Sequence, residues 1–160
     1  MNCVMSLVSF ILIAAINVDY ADHRFDSVKT RSGYTDSLNQ VVKTLKENKT
    51  PGIELTEYSI PESAEEALLF FQLDHKKEST VEFRKLLEHI NNVCLKGRET
   101  TIRKFILLSQ FVDGYFAEDY FDSAEKICKN NPVVFCKIFH SIDVDKKQRL
   151  VDYNITCNKR

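Results

Sequence analysis

The sequence predicts an all-α fold, a small disulfide-linked helical bundle of five to seven helices that follows a cleaved signal peptide. Three observations carry this. Apolar residues recur at three- and four-residue spacing through most of the chain beyond Thr35, the period of one helix face. Ser63 with Glu66 and Ser79 with Glu82 have capping-box spacing ahead of apolar runs. The one imperfectly alternating segment, Ile53 to Ile60, has no second strand to pair with and reads as an extended connection.

The first element is the leader. Val4 to Ile16 is an apolar stretch interrupted only by Ser6 and Ser9, within the ~7–15 residue apolar core of a secretory signal. A bilayer-spanning helix needs ~20 apolar residues. Asn17, Asp19, Asp22, His23 and Arg24 end the run before that length, so no permanent membrane anchor is expected. Ala15 and Ala21 are the competing cleavage positions. The reading is residues 1–21 as signal peptide, 22–34 as a flexible N-terminal arm and 35–160 as a single helical domain, long enough for one core but not two.

Within the domain, Leu38, Val41, Val42 and Leu45 form the first stripe, and Asn48, Pro51 and Gly52 stop it. Ser63 opens Ala64 to Leu73. Ser79 opens the strongest periodic run, Phe83, Leu86, Leu87, Ile90, Val93 and Cys94, which Gly97 ends. Ile102 to Phe116 is apolar on more than one face and is expected to be the most buried helix, kinked or ended at Gly114. Tyr120 to Cys128 makes a shorter helix. Asn131-Pro132 is a cap and first-turn pair for the next, through Phe139, and Leu150, Val151 and Tyr153 mark a last short one.

Charge excludes one class of partner. Removing residues 1–21 deletes Asp19 and no Lys or Arg, leaving 22 basic against 22 acidic residues. A phosphate-binding face needs a basic excess, whereas runs such as Glu82, Arg84, Lys85 and Glu88 alternate in sign and read as solvated helix faces. No nucleic-acid partner is expected. Without Cys3, the cysteines number four, Cys94, Cys128, Cys136 and Cys157, an even set that in an exported domain reads as two disulfides. Antiparallel helix order brings Cys94 level with Cys128 and Cys136 level with Cys157, and those pairs are expected. Asn48-Lys49-Thr50 and Asn154-Ile155-Thr156 are possible glycosylation acceptors.

Catalytic and metal chemistry find little footing. His23, His75, His89 and His140 form no histidine pair at zinc spacing, and there is no nucleophile elbow, phosphate loop or Cys-x-x-Cys. Asp143-Val144-Asp145 resembles the opening of an EF-hand calcium loop, but Lys147, Gln148 and Asn154 stand where that loop needs an oxygen ligand, a glycine and a bidentate Glu. No metal, no cofactor and no enzymatic activity are expected.

Two binding functions remain. The aromatic set Phe105, Phe111, Tyr115, Phe116, Tyr120, Phe121, Phe135 and Phe139 marks either core or an apolar pocket. In being exported, helical and cross-linked the plan is similar to that of the insect odorant-binding proteins, which implies an extracellular carrier of a small apolar ligand. It lacks that family's cysteine pair with three residues between. The favoured expectation is a secreted, extracellular, non-enzymatic protein that binds a partner protein. Its layout resembles the cysteine-linked effectors that parasites, venomous animals and plant-feeding insects deliver into hosts.

Overall fold

The computed structural model describes residues 30–75, 79–112 and 114–157, with backbone only at His75 and Tyr115. The leader, Cys3, His23 and the arm up to residue 29 lie outside the described residues, as does the side chain of His75. The described residues form eight α-helices and no strand: α1 Tyr34–Lys46, α2 Ile53–Ser59, α3 Ala64–His75, α4 Thr80–Leu95, α5 Glu99–Leu108, α6 Ala117–Asn130, α7 Pro132–Ser141 and α8 Val144–Asp152, with a 3-10 turn at Gly114–Phe116. No helix among the described residues is long and apolar enough to cross a membrane.

Helix α4 is the centre of the bundle and packs against α1, α2, α3, α5 and α6, while α5 and α6 carry α7, and α5 also carries α8. Its stripe of Phe83, Leu86, Ile90, Val93 and Cys94 is buried as its periodicity requires. Phe70, Phe83 and Phe135 are wholly enclosed, each burial contributing about 1.5–3 kcal/mol.

Four expectations are corrected. The eight helices exceed the five to seven expected because Ile53–Ser59, read as an extended connection, is α2. Two carboxylate clusters hold that short helix in place. Glu57 of α2 accepts from Arg98 Nε at 2.7 Å, Thr100 Oγ1 at 2.5 Å and Thr101 Oγ1 at 2.6 Å at the start of α5. Glu66 of α3 is fully buried and accepts from the Arg31 backbone at 2.7 Å, from its Nε at 2.9 Å and from the Glu62 backbone at 2.9 Å.

The second correction follows from Arg31, whose fork also donates to Glu62 and to the carbonyls of Tyr58 and Ile60. The end of the supposed arm is therefore fixed to α2 and α3. Third, the apolar run through Phe116 is not one helix. Helix α5 stops at Leu108, where Ser109, Gln110 and Phe111 close tighter i−3 bonds to Ile106, Leu107 and Leu108. Beyond the turn, Gly114 takes φ 56°, open to glycine at no steric cost. The central position belongs to α4, although α5, with five of its ten residues buried, keeps the larger buried share expected of this run.

Fourth, the caps differ from those read in sequence. Ser63 accepts from the Glu66 N–H at 3.2 Å as expected, but Ser79 and Thr80 turn back to donate to Leu73 and Asp74 at the end of α3. Asn131 likewise serves another helix. Its Nδ2 donates to the carbonyls of Cys94 and Leu95 at 3.3 and 3.0 Å, closing α4. The calcium-like segment after Asp143 is helical as α8. Its Lys147 is buried and donates to the Phe139 and Ile142 carbonyls at 2.5 and 2.6 Å, over the Phe139 ring, which suits a cation at the negative end of α7.

Candidate functional site

Between α3, α4, α5, the 3-10 turn and α6 lies a half-enclosed apolar cavity of about 250 Å³. Each wall is a helix stripe. Helix α4 contributes Arg84, Leu87, Glu88 and Asn91, and the turn with α6 contributes Phe116, Asp119, Tyr120 and Ser123. Both sets have i, i+3, i+4, i+7 spacing, so each occupies one face. Phe71, Phe105, Leu108 and Val112 complete the lining.

The walls are firmly held. Phe71 stacks on Phe116 at 5.9 Å and Phe105 on Tyr120 at 4.6 Å between ring centres. The Tyr120 hydroxyl donates to the Phe105 carbonyl at 2.5 Å, and burial pushes its pKa well above the ordinary tyrosine range. Arg149 of α8 donates to the Val112 carbonyl, fixing the floor. One polar group is left over. Asn91 Nδ2 donates to Ser123 Oγ at 3.0 Å across the cavity wall, while its buried Oδ1 has no hydrogen-bond partner among the described residues.

Of the expected aromatic set, Phe105, Phe116 and Tyr120 line this cavity. Four of the others, Phe111, Phe121, Phe135 and Phe139, serve elsewhere. Phe121 stacks on Tyr153 at 3.7 Å, Phe135 stacks on Phe139 in the core, and Phe111 packs half-buried against that core. The Tyr115 side chain lies outside the described residues. Sequence reasoning missed Phe71, Leu87, Leu108, Val112, Asn91 and Ser123. The signal for part of this was the pair of mixed stripes, in which polar residues sit at core-facing spacing beside apolar ones.

A second, more open groove of about 240 Å³ runs along Leu45, Asn48, Pro51, Lys85 and His89. Burial lowers the His89 pKa, partly offset by a hydrogen bond to the Pro51 backbone. His140 pairs through Nε2 with the Cys157 carbonyl at 3.0 Å. Among the described residues, neither histidine has a carboxylate partner that would make it a general base.

Cys136 and Cys157 are joined, with α-carbons 5.4 Å apart, within bridging range. The expected bond between Cys94 and Cys128 is not formed, and both are free thiols. The Cys128 sulfur lies instead with those of Cys136 and Cys157. Cys128 shares a stripe with Phe121, seven residues earlier, and that stripe faces the C-terminal segment through Tyr153. Cys94 is fully buried, and burial, with the Glu57 charge adding, pushes its thiol up to about 12.

Both sequon asparagines are exposed and left-handed, Asn48 at φ 55° and Asn154 at φ 59°. Each closes its helix by paired backbone bonds, Asn48 and Lys49 to Leu45 and Thr44, Asn154 and Ile155 to Val151 and Leu150, the Schellman pattern. No protein-family model, characterised protein or solved structure matches this chain.

Proposed function

We propose that this protein is a non-enzymatic extracellular carrier whose cavity takes a small apolar molecule bearing one hydrogen-bond donor. The mainly apolar lining, in which the polar Asn91–Ser123 pair is set beside the charged Arg84, Glu88 and Asp119, carries the reading. It asks for an alcohol, phenol or amine rather than a pure hydrocarbon. A cavity of about 150 Å³ accommodates benzene, so about 250 Å³ suits on the order of ten non-hydrogen atoms. The Cys136–Cys157 bond supports an oxidising compartment, and the exposure of Asn48 and Asn154 supports glycosylation there.

The partner-protein reading has a separate, weaker support. Leu68, Val81, Val133 and Val144 are large apolar side chains exposed by 61 to 81 %, but they belong to four different helices, and single exposed apolar residues are ordinary.

Nuclear magnetic resonance titration with 4-ethylphenol and ethylbenzene tests the carrier. Saturable shifts at the methyls of Leu87, Leu108 and Val112 are expected, with the phenol at least ~10-fold tighter, about 1.4 kcal/mol. Asn91→Leu is expected to abolish the preference while keeping hydrocarbon binding. Absence of saturable shifts for both compounds at ~1 mM, an affinity worth only about 4 kcal/mol, overturns the reading.

A further inference from the structure

The sulfur atoms of Cys128, Cys136 and Cys157 all lie within 4.8 Å of one another, although only two of the three residues are bonded. All three are partly exposed. They come from three separate elements, the last turn of α6, the middle of α7 and the segment after α8. We propose that these cysteines form a thiol–disulfide exchange site, in which one disulfide moves among three sulfurs and decides where the C-terminal segment is tethered.

The step balances within the chain. The Cys128 thiolate attacks one sulfur of the Cys136–Cys157 bond, a new S–S bond forms as the old one breaks, and the displaced sulfur leaves as a thiolate that takes up the proton lost from Cys128. One disulfide and one thiol enter, and one disulfide and one thiol remain, so neither oxidant nor reductant is needed. Attack on Cys157 moves the anchor of the segment from α7 to α6 and leaves Cys136 reduced. Attack on Cys136 ties α6 to α7 and frees Cys157, whose segment is then held by buried Ile155 and by the His140 contact to the Cys157 carbonyl. The freed thiol becomes the group open to exchange with an external disulfide, forming a mixed disulfide as one half of that compound leaves as a thiol.

Cys94 takes no part. It is fully enclosed and stands outside the sulfur cluster. The attacking thiol is not specially activated, since burial raises the Cys128 pKa, Glu125 adds to this and Lys129 opposes it. Exchange is therefore slow at neutral pH, and alkaline conditions bring it into view.

The experiment holds the oxidised wild-type protein near pH 8.5, about the pKa of an ordinary thiol, with no added redox agent. Samples then receive a brief pulse of N-ethylmaleimide, followed by acid quench and peptide mapping. The pulse at time zero is expected to mark Cys128, and later pulses to mark Cys136 or Cys157 in a growing fraction, at a rate independent of protein concentration. Cys94 stays unmarked throughout. In Cys128→Ser no mark is expected on Cys136 or Cys157 at any time. Label confined to Cys128 after a long hold, or a redistribution rate proportional to protein concentration, overturns the proposal. The wild-type time course decides by itself if the variant fails to fold.

Discussion

Glu57 shows how much one side chain settles in this chain. It joins α2 to the start of α5 by accepting from Arg98, Thr100 and Thr101. Burial raises its pKa, but those donors and the Arg98 charge outweigh that and lower it from 4.5 to about 2. A depressed carboxylate stabilises the fold fully above its unfolded value and loses that contribution as pH falls through the folded one. Glu57→Gln is thus expected to cost about 1–3 kcal/mol at neutral pH, the scale of hydrogen bonds to a charged acceptor. The difference should shrink steadily between about pH 4.5 and 2, the window set by the two values above. Urea denaturation of both proteins across that range checks it, and a pH-independent gap would assign Glu57 a packing role instead. None of this was legible in sequence, because the partners are more than forty residues apart and threonine followed by threonine carries no signature.

At the scale of elements, helix ends explain most of the misreadings. Periodicity located α1, α3, α4, α6 and α7, since a stripe needs only its own residues. Caps did not follow so simply. Asn131 precedes Pro132 as a helix-opening pair would, yet its side chain closes α4, and the adjacent Gly97 sits at φ 80° with the Asn131 oxygen 3.2 Å from where a β-carbon would lie. Asn131→Ala is expected to cost about 1–2 kcal/mol by stripping two terminal carbonyls of their donor. Gly97→Ala is expected to cost about 1–2 kcal/mol from the left-handed backbone, most of it persisting in the Asn131→Ala background because φ, not the contact, sets the strain. Full additivity of the losses in chemical denaturation would show that the side-chain contact contributes nothing, and complete suppression of the second loss would show that it contributes everything. Asn48 and Asn154 repeat the lesson. Read as glycan acceptors, they are also the left-handed residues that end α1 and α8, a signal present in each asparagine's position just past an apolar stripe.

For the molecule as a whole, the all-helical bundle was readable because every long segment carried the same period, while the cavity was not, because it exists only where five elements fail to meet. Phe105, Phe116 and Tyr120 were candidates from their density alone. Phe71 and Asn91 joined them only through the packing of α3 and α4 against the turn after α5. That space makes hydrostatic pressure a probe of the molecule. Unfolding removes internal void and so proceeds with a volume decrease, of order 20–100 mL/mol in proteins generally, to which a cavity of about 250 Å³ contributes. A bound molecule shifts the free energy of unfolding by mass action, yet only one seated in the void also lessens the volume change. With 4-ethylphenol at saturation, the slope of unfolding free energy against pressure is expected to flatten as well as its intercept to rise. Pressure-dependent nuclear magnetic resonance reads both quantities, and a raised intercept with an unaltered slope would place the ligand on the surface.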